Sequence, residues 1–213
     1  GYDPEDLAVI RELQREQEPR PSGRLVLAHT GLLSGRRTLE PVLAALARLF
    51  AERPALRGRV HIRQVGPREN VNDALVAAAG LADCVTFLPP VRHREVLAEM
   101  AAADALLLLE AGEIEGSLIT PGKVFEYLAS RRPILAVVPG GPAADLVRAT
   151  GAGAVVGPGD IAGLAGLLAR WVVDGPPPSR VRDEDLAPYA RPALAARLAG
   201  VLEELAGPPE KFL

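Results

Sequence analysis

The stretch SLITPGKVFEYLASRRPIL, residues 117–135, contains the transition that decides the fold. A Pro-Gly pair at positions 121 and 122 is followed by a helical pattern over residues 123–130 and then by the apolar run PILAVVP, residues 133–139. Such a run is short, flanked by helix breakers and rich in branched aliphatic residues, which is typical of a buried parallel strand. A helix that leads directly into a buried strand predicts an α/β domain.

The same alternation extends in both directions from this stretch. Apolar runs between breakers predict six strands, at residues 24–30, 59–66, 84–88, 105–110, 133–139 and 153–157. Helical patterns separate or follow them at residues 39–51, 72–79, 94–102, 123–130, 143–150 and 161–173. This order predicts a Rossmann-like, doubly wound six-stranded parallel sheet with flanking helices, for which the strand order 3-2-1-4-5-6 is common. After a Pro-rich break at 174–180, one more amphipathic helix is predicted over about residues 183–206, with one face that needs a partner.

The amino-acid composition excludes several classes of function. A net charge of −3 and an aromatic content of 4% argue against a nucleic-acid-binding role, because such proteins need a basic face or stacking rings. Cys84 is the single cysteine, so neither an internal disulfide nor a cysteine-based zinc site is expected, and a cytoplasmic location is predicted. No run approaches the roughly 18 apolar residues of a membrane span. The chain begins with Gly1, and we expect it to be a fragment of a longer protein.

The predicted strand order places a ligand crevice between the loops after strands one and four, where the order reverses. The first loop, GLLSGRR, spans residues 31–37, and the second spans residues 111–123. Lys123 in a first helical turn opposes the helix macrodipole, which indicates that an anion is expected there. Arg36 or Arg37 would add positive charge from the other loop. Glu126 lies one helical turn after Lys123. Its carboxylate either accepts hydrogen bonds from vicinal hydroxyls such as those of a ribose or forms an i,i+3 ion pair with Lys123.

The remaining charged and glycine-rich motifs have simpler interpretations. Arginines that precede strands belong to the opposite, amino-terminal edge: Arg57, Arg59, Arg131 and Arg132. His29 and His61 fall within strands and are expected to be core or sheet residues, and no histidines have metal-ligand spacing. The Gly-x-Gly at 151–153 follows a helix and precedes a strand, so it predicts a helix C-cap. Gly140 and Gly141 open a helix after strand five and could line the crevice.

Taken together, these motifs resemble the carboxyl-terminal, donor-binding domain of GT-B-fold group 1 glycosyltransferases. The resemblance is carried by HTGLLSGRR, by FLPPVRHREVLAEMAAADALLLL and by PGKVFEYLASRRPIL. It implies one half of a GT-B fold and a retaining enzyme that uses a nucleotide-diphosphate-sugar donor, a UDP- or GDP-sugar, with no metal and no other cofactor. It implies further that Arg36 and Lys123 are the catalytic cations. Donor-binding contacts would come from Gly31, Arg37, Val91, Arg92, Gly122, Val124 and Glu126, with the ribose on Glu126 and the base near Val91 and Arg92.

The resemblance also implies a division of the chain. Residues 1–23 would be a linker from a missing amino-terminal domain, residues 24–174 the donor-binding domain, and residues 175–213 a linker and a helix that packs back on the missing domain. The partners would then be the donor, a glycan or lipid-linked acceptor and that absent domain, and the full-length protein could sit peripherally at the inner membrane face. The fragment alone is expected to be inactive.

One departure from the family leaves alternatives open. The first of two glutamates that the family often carries would fall at Leu118, while Glu113 and Glu115 are out of register. The sugar that the donor carries is therefore not predicted. A nucleotide-sugar epimerase that uses Glu113 or Glu115 as an acid/base group, and a noncatalytic nucleotide-sugar binding module, are the alternatives.

Overall fold

A six-stranded parallel sheet forms the centre of the structure, a computed structural model that describes residues 1–17, 23–35, 37–110 and 120–206. The strand order is β3-β2-β1-β4-β5-β6, as predicted, so the order reverses between β1 and β4. Every strand lies within its predicted range: β1 Leu25–Thr30, β2 Val60–Val65, β3 Val85–Leu88, β4 Ala105–Leu109, β5 Ile134–Val137 and β6 Gly153–Val156.

Helices cover both faces of the sheet. They are α1 Pro4–Glu16, α2 Glu40–Glu52, α3 Val71–Ala78, α4 His93–Ala102, α5 Lys123–Ser130, α6 Pro142–Ala149, α7 Ile161–Asp174, α8 Asp183–Leu186 and α9 Arg191–Ala206. One apolar cluster joins the sheet to α2, α3 and α7 and includes Trp171, and a second joins it to α1, α4, α5 and α6. Successive strand residues such as Leu107 and Leu108 alternate between the two clusters because side chains alternate along a strand. The predicted doubly wound α/β fold is confirmed.

The amino-terminal segment contains a helix that the sequence analysis did not predict. Helix α1 lies within residues 1–23, and its Leu7 and Ile10 are buried in the cluster with α4 and α5. The local signals for this helix were present: the side chain of Asp3 accepts a hydrogen bond from the Glu5 amide at 3.0 Å, and Pro4 occupies the first helical position. This segment is therefore a packed part of the fold.

The carboxyl-terminal helix is interrupted, in contrast to the continuous helix predicted over 183–206. Helix α8 ends at Leu186, a short 3-10 helix runs over Ala187–Tyr189, and α9 begins at Arg191. The helical path ends at Ala190, which has extended backbone geometry with φ of −63° and ψ of 135°, two residues after Pro188. The break lets Tyr2 pair with the chain at Ala190: the Tyr2 amide donates to the Tyr189 carbonyl and the Arg191 amide to the Tyr2 carbonyl.

The apolar face of α9 is exposed. Leu198, Val201, Leu202 and Leu205 recur at helical spacing and are between 52% and 80% exposed. Within the described residues, no helix combines the length and hydropathy that crossing a membrane requires.

Candidate functional site

Lys123 joins the start of α5 to the end of β1, at the reversal of strand order. Its Nζ donates a hydrogen bond to the carbonyl oxygen of Thr30 at 2.8 Å. Gly31 follows directly, with φ of 111°, and a Cβ there would lie 2.9 Å from Nζ. The positive φ favours glycine at this position, and a Cβ there would displace the Lys123 ammonium from its present place. The structure therefore brings together Lys123 and Gly31, two of the predicted site residues.

His29 completes the floor beneath Lys123. It is fully buried, and burial together with the Lys123 charge lowers its pKa to about 3, so the imidazole is neutral. Its Nδ1 lies 2.9 Å from the carbonyl oxygen of Leu107, which can only accept, so Nδ1 carries the proton. The unprotonated Nε2 then faces the Lys123 ammonium at 3.5 Å. The prediction that His29 is a satisfied core residue is confirmed, and its contact with Lys123 is an addition.

The surroundings of Lys123 lower the pKa of its ammonium group. Burial, followed by the nearby Arg37 charge, lowers its pKa to about 8, while Glu110 and Glu126 act in the opposite direction. A buried ammonium that is partly deprived of solvent gains more from an anionic ligand than an exposed one does. Lys123 is therefore protonated at neutral pH and well placed to bind an anion.

Arg37 reaches the same place from the loop after β1. Its Nη2 donates a hydrogen bond to the Glu110 carboxylate at 3.3 Å, and Glu110 directly follows β4. The two side chains are 30% and 16% exposed. Glu110 was not predicted as a site residue because it was counted as the last member of an apolar run. Its position at the carboxyl end of the strand beside the reversal was the signal that could have identified it.

Glu126 lies one turn along α5 from Lys123 and is partly buried. It does not form an ion pair with Lys123, so the i,i+3 pair considered from the sequence is not observed. Its carboxylate accepts no hydrogen bond from any described residue. Glu126 is thus available to a ligand on the same side of α5.

Gly122 and Val124, two of the predicted donor contacts, lie at the start of α5. The Val124 amide donates to the carbonyl of Pro121 at 3.0 Å, which closes the first turn of α5. The N–H group of Val124 therefore already has an acceptor within the protein, and a donor contact at Val124 stays a prediction. No described residue accepts a hydrogen bond from the amides of Gly122 and Lys123.

Of the other predicted contacts, some lie at the same edge of the sheet and one lies outside the described residues. Val91 and Arg92 precede α4 at the carboxyl edge, where the Arg92 amide donates to the Glu95 carboxylate at 3.1 Å. Among the described residues, no hydrogen bond, ion pair or ring contact joins them to Lys123 or Arg37. Arg36, like Glu113, Glu115 and Leu118, lies outside the described residues.

Arginines predicted to lie at the amino-terminal edge do so. Arg57 pairs with Asp83, and Arg131 pairs with Asp183. Arg59 donates to the carbonyl of Val172, and Arg132 to that of Ala101. The Gly-x-Gly at 151–153 is a helix terminus, with Gly151 at φ of 60°, as predicted. The described positive charge in the crevice therefore comes from Lys123 and Arg37.

A cavity of about 750 Å³ adjoins this cluster on the face covered by α2, α3 and α7. Glu110 forms one wall, and the rest is lined mainly by apolar side chains, with Thr38 and Glu40 as polar members. In the part of the chain that the structure describes, no three His, Cys, Asp or Glu side chains are grouped as a metal site would require.

A sequence model of the family "Glycosyl transferases group 1" matches residues 24–174, well over half of the chain. The chain belongs to this family. A curated relative, D-inositol 3-phosphate glycosyltransferase of Geodermatophilus obscurus, is 33% identical over 125 residues, which cover 55% of this chain and 26% of the relative. The aligned part of the chain thus spans about a quarter of that relative's length.

Solved structures share the fold. HepE of Anabaena, in complex with UDP and glucose, superimposes with a TM-score of 0.64 at 21% identity, over 95% of this chain and 55% of HepE. The carboxyl-terminal domain of LpcC, a group 1 glycosyltransferase family protein of Francisella tularensis, superimposes with a TM-score of 0.53 at 15% identity. That alignment covers 82% of this chain and 89% of the LpcC domain. The predicted resemblance to one half of a GT-B glycosyltransferase is confirmed.

Proposed function

We propose that this chain is the donor-binding half of a retaining glycosyltransferase that transfers a sugar from a nucleoside diphosphate to an acceptor. The observation that carries the proposal is the meeting of Lys123 and Arg37 at the reversal of strand order, beside Gly31 and the start of α5. Family membership supports sugar transfer, and the UDP and glucose named for the HepE structure support the donor class. The base, UDP or GDP, and the sugar stay open.

The chemistry follows from where negative charge develops. When the bond between the sugar and the diphosphate breaks, charge accumulates on the leaving phosphate oxygen. The Lys123 ammonium and the Arg37 guanidinium stabilise that charge, and the positive end of α5 adds to them. Each hydrogen bond to a charged group is worth about 1.5–3 kcal/mol, so two fixed cations account for a large share of leaving-group stabilisation without a metal ion. Arg36 stays a predicted third cation.

Recognition of the nucleoside is assigned to the same edge. No described residue donates a hydrogen bond to the Glu126 carboxylate. In the proposed complex this carboxylate accepts hydrogen bonds from the two vicinal hydroxyls of the ribose. The base lies against the backbone near Val91 and Arg92, where β3 leads into α4. In this arrangement the diphosphate spans from the start of α5 to the loop after β1.

The acceptor site is proposed to lie in another domain of the full-length protein. We propose that the acceptor site, for a glycan or a lipid-linked acceptor, is supplied by an amino-terminal domain joined to residues 1–23. Residues 175–213 would return to that domain, and the exposed face of α9 is available for this contact. The chain alone would bind nucleotide and transfer no sugar. In the full-length protein we place it in the cytoplasm, peripheral at the inner membrane face.

Calorimetric titration with UDP, GDP and ADP tests the proposal. We expect one of them to bind, and Lys123→Ala and Glu126→Ala each to weaken that binding by about 10-fold or more. Arg48→Ala, which removes an exposed arginine of α2 paired with Glu52, is the control for loss of charge and should change affinity less than about 2-fold. If neither site variant weakens any nucleotide, the assignment is wrong.

The epimerase alternative rests on Glu113 and Glu115, which lie outside the described residues, and family membership favours the transferase. A noncatalytic binding module would share the same titration behaviour. Assay of the full-length protein for sugar transfer separates it from the proposed enzyme.

A further inference from the structure

The pair formed by Arg37 and Glu110 connects the two loops that border the crevice. Arg37 belongs to the loop after β1, and Glu110 is the first residue after β4, 73 positions further along the chain. Glu110 is the more buried partner, at 16% exposure against 30% for Arg37. The contact therefore sits where a diphosphate would lie in the function proposed above, on which this inference rests.

Both members of the pair keep unused hydrogen-bonding capacity. Arg37 Nη2 lies 3.3 Å from the carboxylate, which is longer than a usual charged hydrogen bond. Arg37 Nε is buried and has no hydrogen-bond partner among the described residues. Glu110 Oε1 is also buried and lies 3.3 Å from Arg37 Nη2, without the geometry of a hydrogen bond. A guanidinium normally binds an anion through two parallel N–H groups. Arg37 is thus held by Glu110 but not saturated by it.

Among the described residues, side chains of both signs lie near Lys123. Arg37 from the loop after β1 and Lys123 from α5 oppose Glu110 and Glu126, while the His29 imidazole in β1 is neutral. Glu40, at the start of α2, is exposed and shares only the cavity wall with Glu110. A diphosphate with two negative charges needs the same arginine that Glu110 occupies. The two anions compete for it.

We propose that Glu110 is an internal counter-anion that holds Arg37 in the empty crevice and gives it up when the diphosphate binds. Glu110 thereby positions the guanidinium before the donor arrives, at a cost in affinity for the donor. The same competition speeds the release of the nucleoside diphosphate product, because the carboxylate can take Arg37 back. Glu110 is a positioning residue that acts through Arg37.

Titration of the chain with UDP and GDP tests this role, because the proposal fixes the direction in which the affinity changes when Glu110 loses its charge. Glu110→Gln keeps the shape and removes the charge, and we expect it to bind the diphosphate about 3- to 10-fold more tightly and to release it more slowly. Glu40→Gln, the matched control at the same edge, should change affinity less than about 2-fold. Weaker or unchanged binding by a folded Glu110→Gln variant would overturn the proposal, with folding checked by thermal unfolding.

A double-mutant cycle distinguishes exchange from general repulsion. In an Arg37→Gln background, the Glu110→Gln change should no longer tighten binding, because there is no shared arginine to release. Equal tightening in both backgrounds would show simple charge repulsion and overturn the exchange. If the parent chain binds no nucleotide, or Lys123→Met binds as the parent does, the proposed function fails and this inference with it. Binding that depends on Lys123 but not on Glu110 removes this inference alone.

Discussion

Lys123 is a notable choice in a chain that otherwise uses arginine. Of the 24 Lys and Arg residues, lysines stand only at positions 123 and 211. The Nζ atom lies 2.8 Å from the Thr30 carbonyl and close enough to Gly31 that a Cβ there would be 2.9 Å away. A compact ammonium fits this space, whereas a planar guanidinium is wider and needs a different approach. The size of the site thus explains the residue type.

The lowered pKa of Lys123 gives the site a pH dependence. The ligand binds the protonated amine, and that form is complete well below pH 8 and lost as the pH rises through the pKa of about 8. Nucleoside diphosphate affinity should therefore decrease between pH ~7 and pH ~9. Calorimetry across that range measures it, and Lys123→Met should show a flat profile with the same ligand. A parent profile as flat as that of Lys123→Met would contradict the assignment.

Tyr127 supports the floor of the site from α5. Its hydroxyl is fully buried, accepts a hydrogen bond from the Thr30 amide at 2.9 Å, and lies 3.2 Å from the Thr30 hydroxyl. Tyr127→Phe leaves a buried amide without a partner, so we expect a loss of about 1–3 kcal/mol in the free energy of unfolding, measured in urea. The Tyr189 hydroxyl has no partner among the described residues, and Tyr189→Phe, the control, should cost less than about 0.5 kcal/mol.

Part of this site was predictable from the sequence. Lys123, Gly31 and Arg37 follow from the rule that loops at the carboxyl ends of strands one and four meet. Glu110 was missed because it was counted as the end of the β4 apolar run, although its position was a usable signal. The contact of His29 with Lys123 could not be predicted, because it depends on side-chain directions set by packing across strands. The commitment of the Val124 amide to Pro121 likewise requires knowing how tightly the turn closes.

At the scale of elements, hydrophobic period and breakers located all six strands and the helices between them. The signal was strong for β1, β4 and β5, which are buried at every position, and it was supported elsewhere by the Gly and Pro residues between elements. Helix α1 was missed because its apolar residues are few and its exposed face is highly charged. The prediction of one continuous terminal helix was wrong. The leucines keep helical spacing on both sides of the break between α8 and α9, so hydrophobic periodicity alone does not reveal the interruption.

Close approach of β5 and β6 depends on Gly153. A Cβ at this position would lie 2.0 Å from the Ile134 carbonyl oxygen and 2.5 Å from its nitrogen. We expect Gly153→Ala to lower the free energy of unfolding by at least about 2 kcal/mol, since backbone must move. Chemical denaturation measures the change. Gly157→Ala, which meets nothing within 4 Å, is the matched control, and equal stability of the two variants would contradict the strand geometry.

For the molecule as a whole, the exposed face of α9 is the main unpartnered apolar surface among the described residues. Leu198 and Leu202 are 60% and 56% exposed, so they contribute little to the stability of the chain itself. We expect the chain to self-associate at high concentration, and the double change Leu198→Glu and Leu202→Glu to reduce this in sedimentation velocity. Thermal stability should stay nearly constant. A large loss of stability would show that the face already packs within the chain.

The single tryptophan lies on the side of the sheet away from Lys123. Trp171 is 4% exposed and belongs to the cluster that joins the sheet to α2 and α7, whereas Lys123 begins a helix of the opposite face. Its fluorescence should be blue-shifted in the native chain and should move to the red only when that cluster opens. Intrinsic emission should therefore report unfolding and not occupancy of the crevice. A variant that binds no nucleotide in calorimetry but keeps the native emission has lost its ligand contacts while keeping its fold.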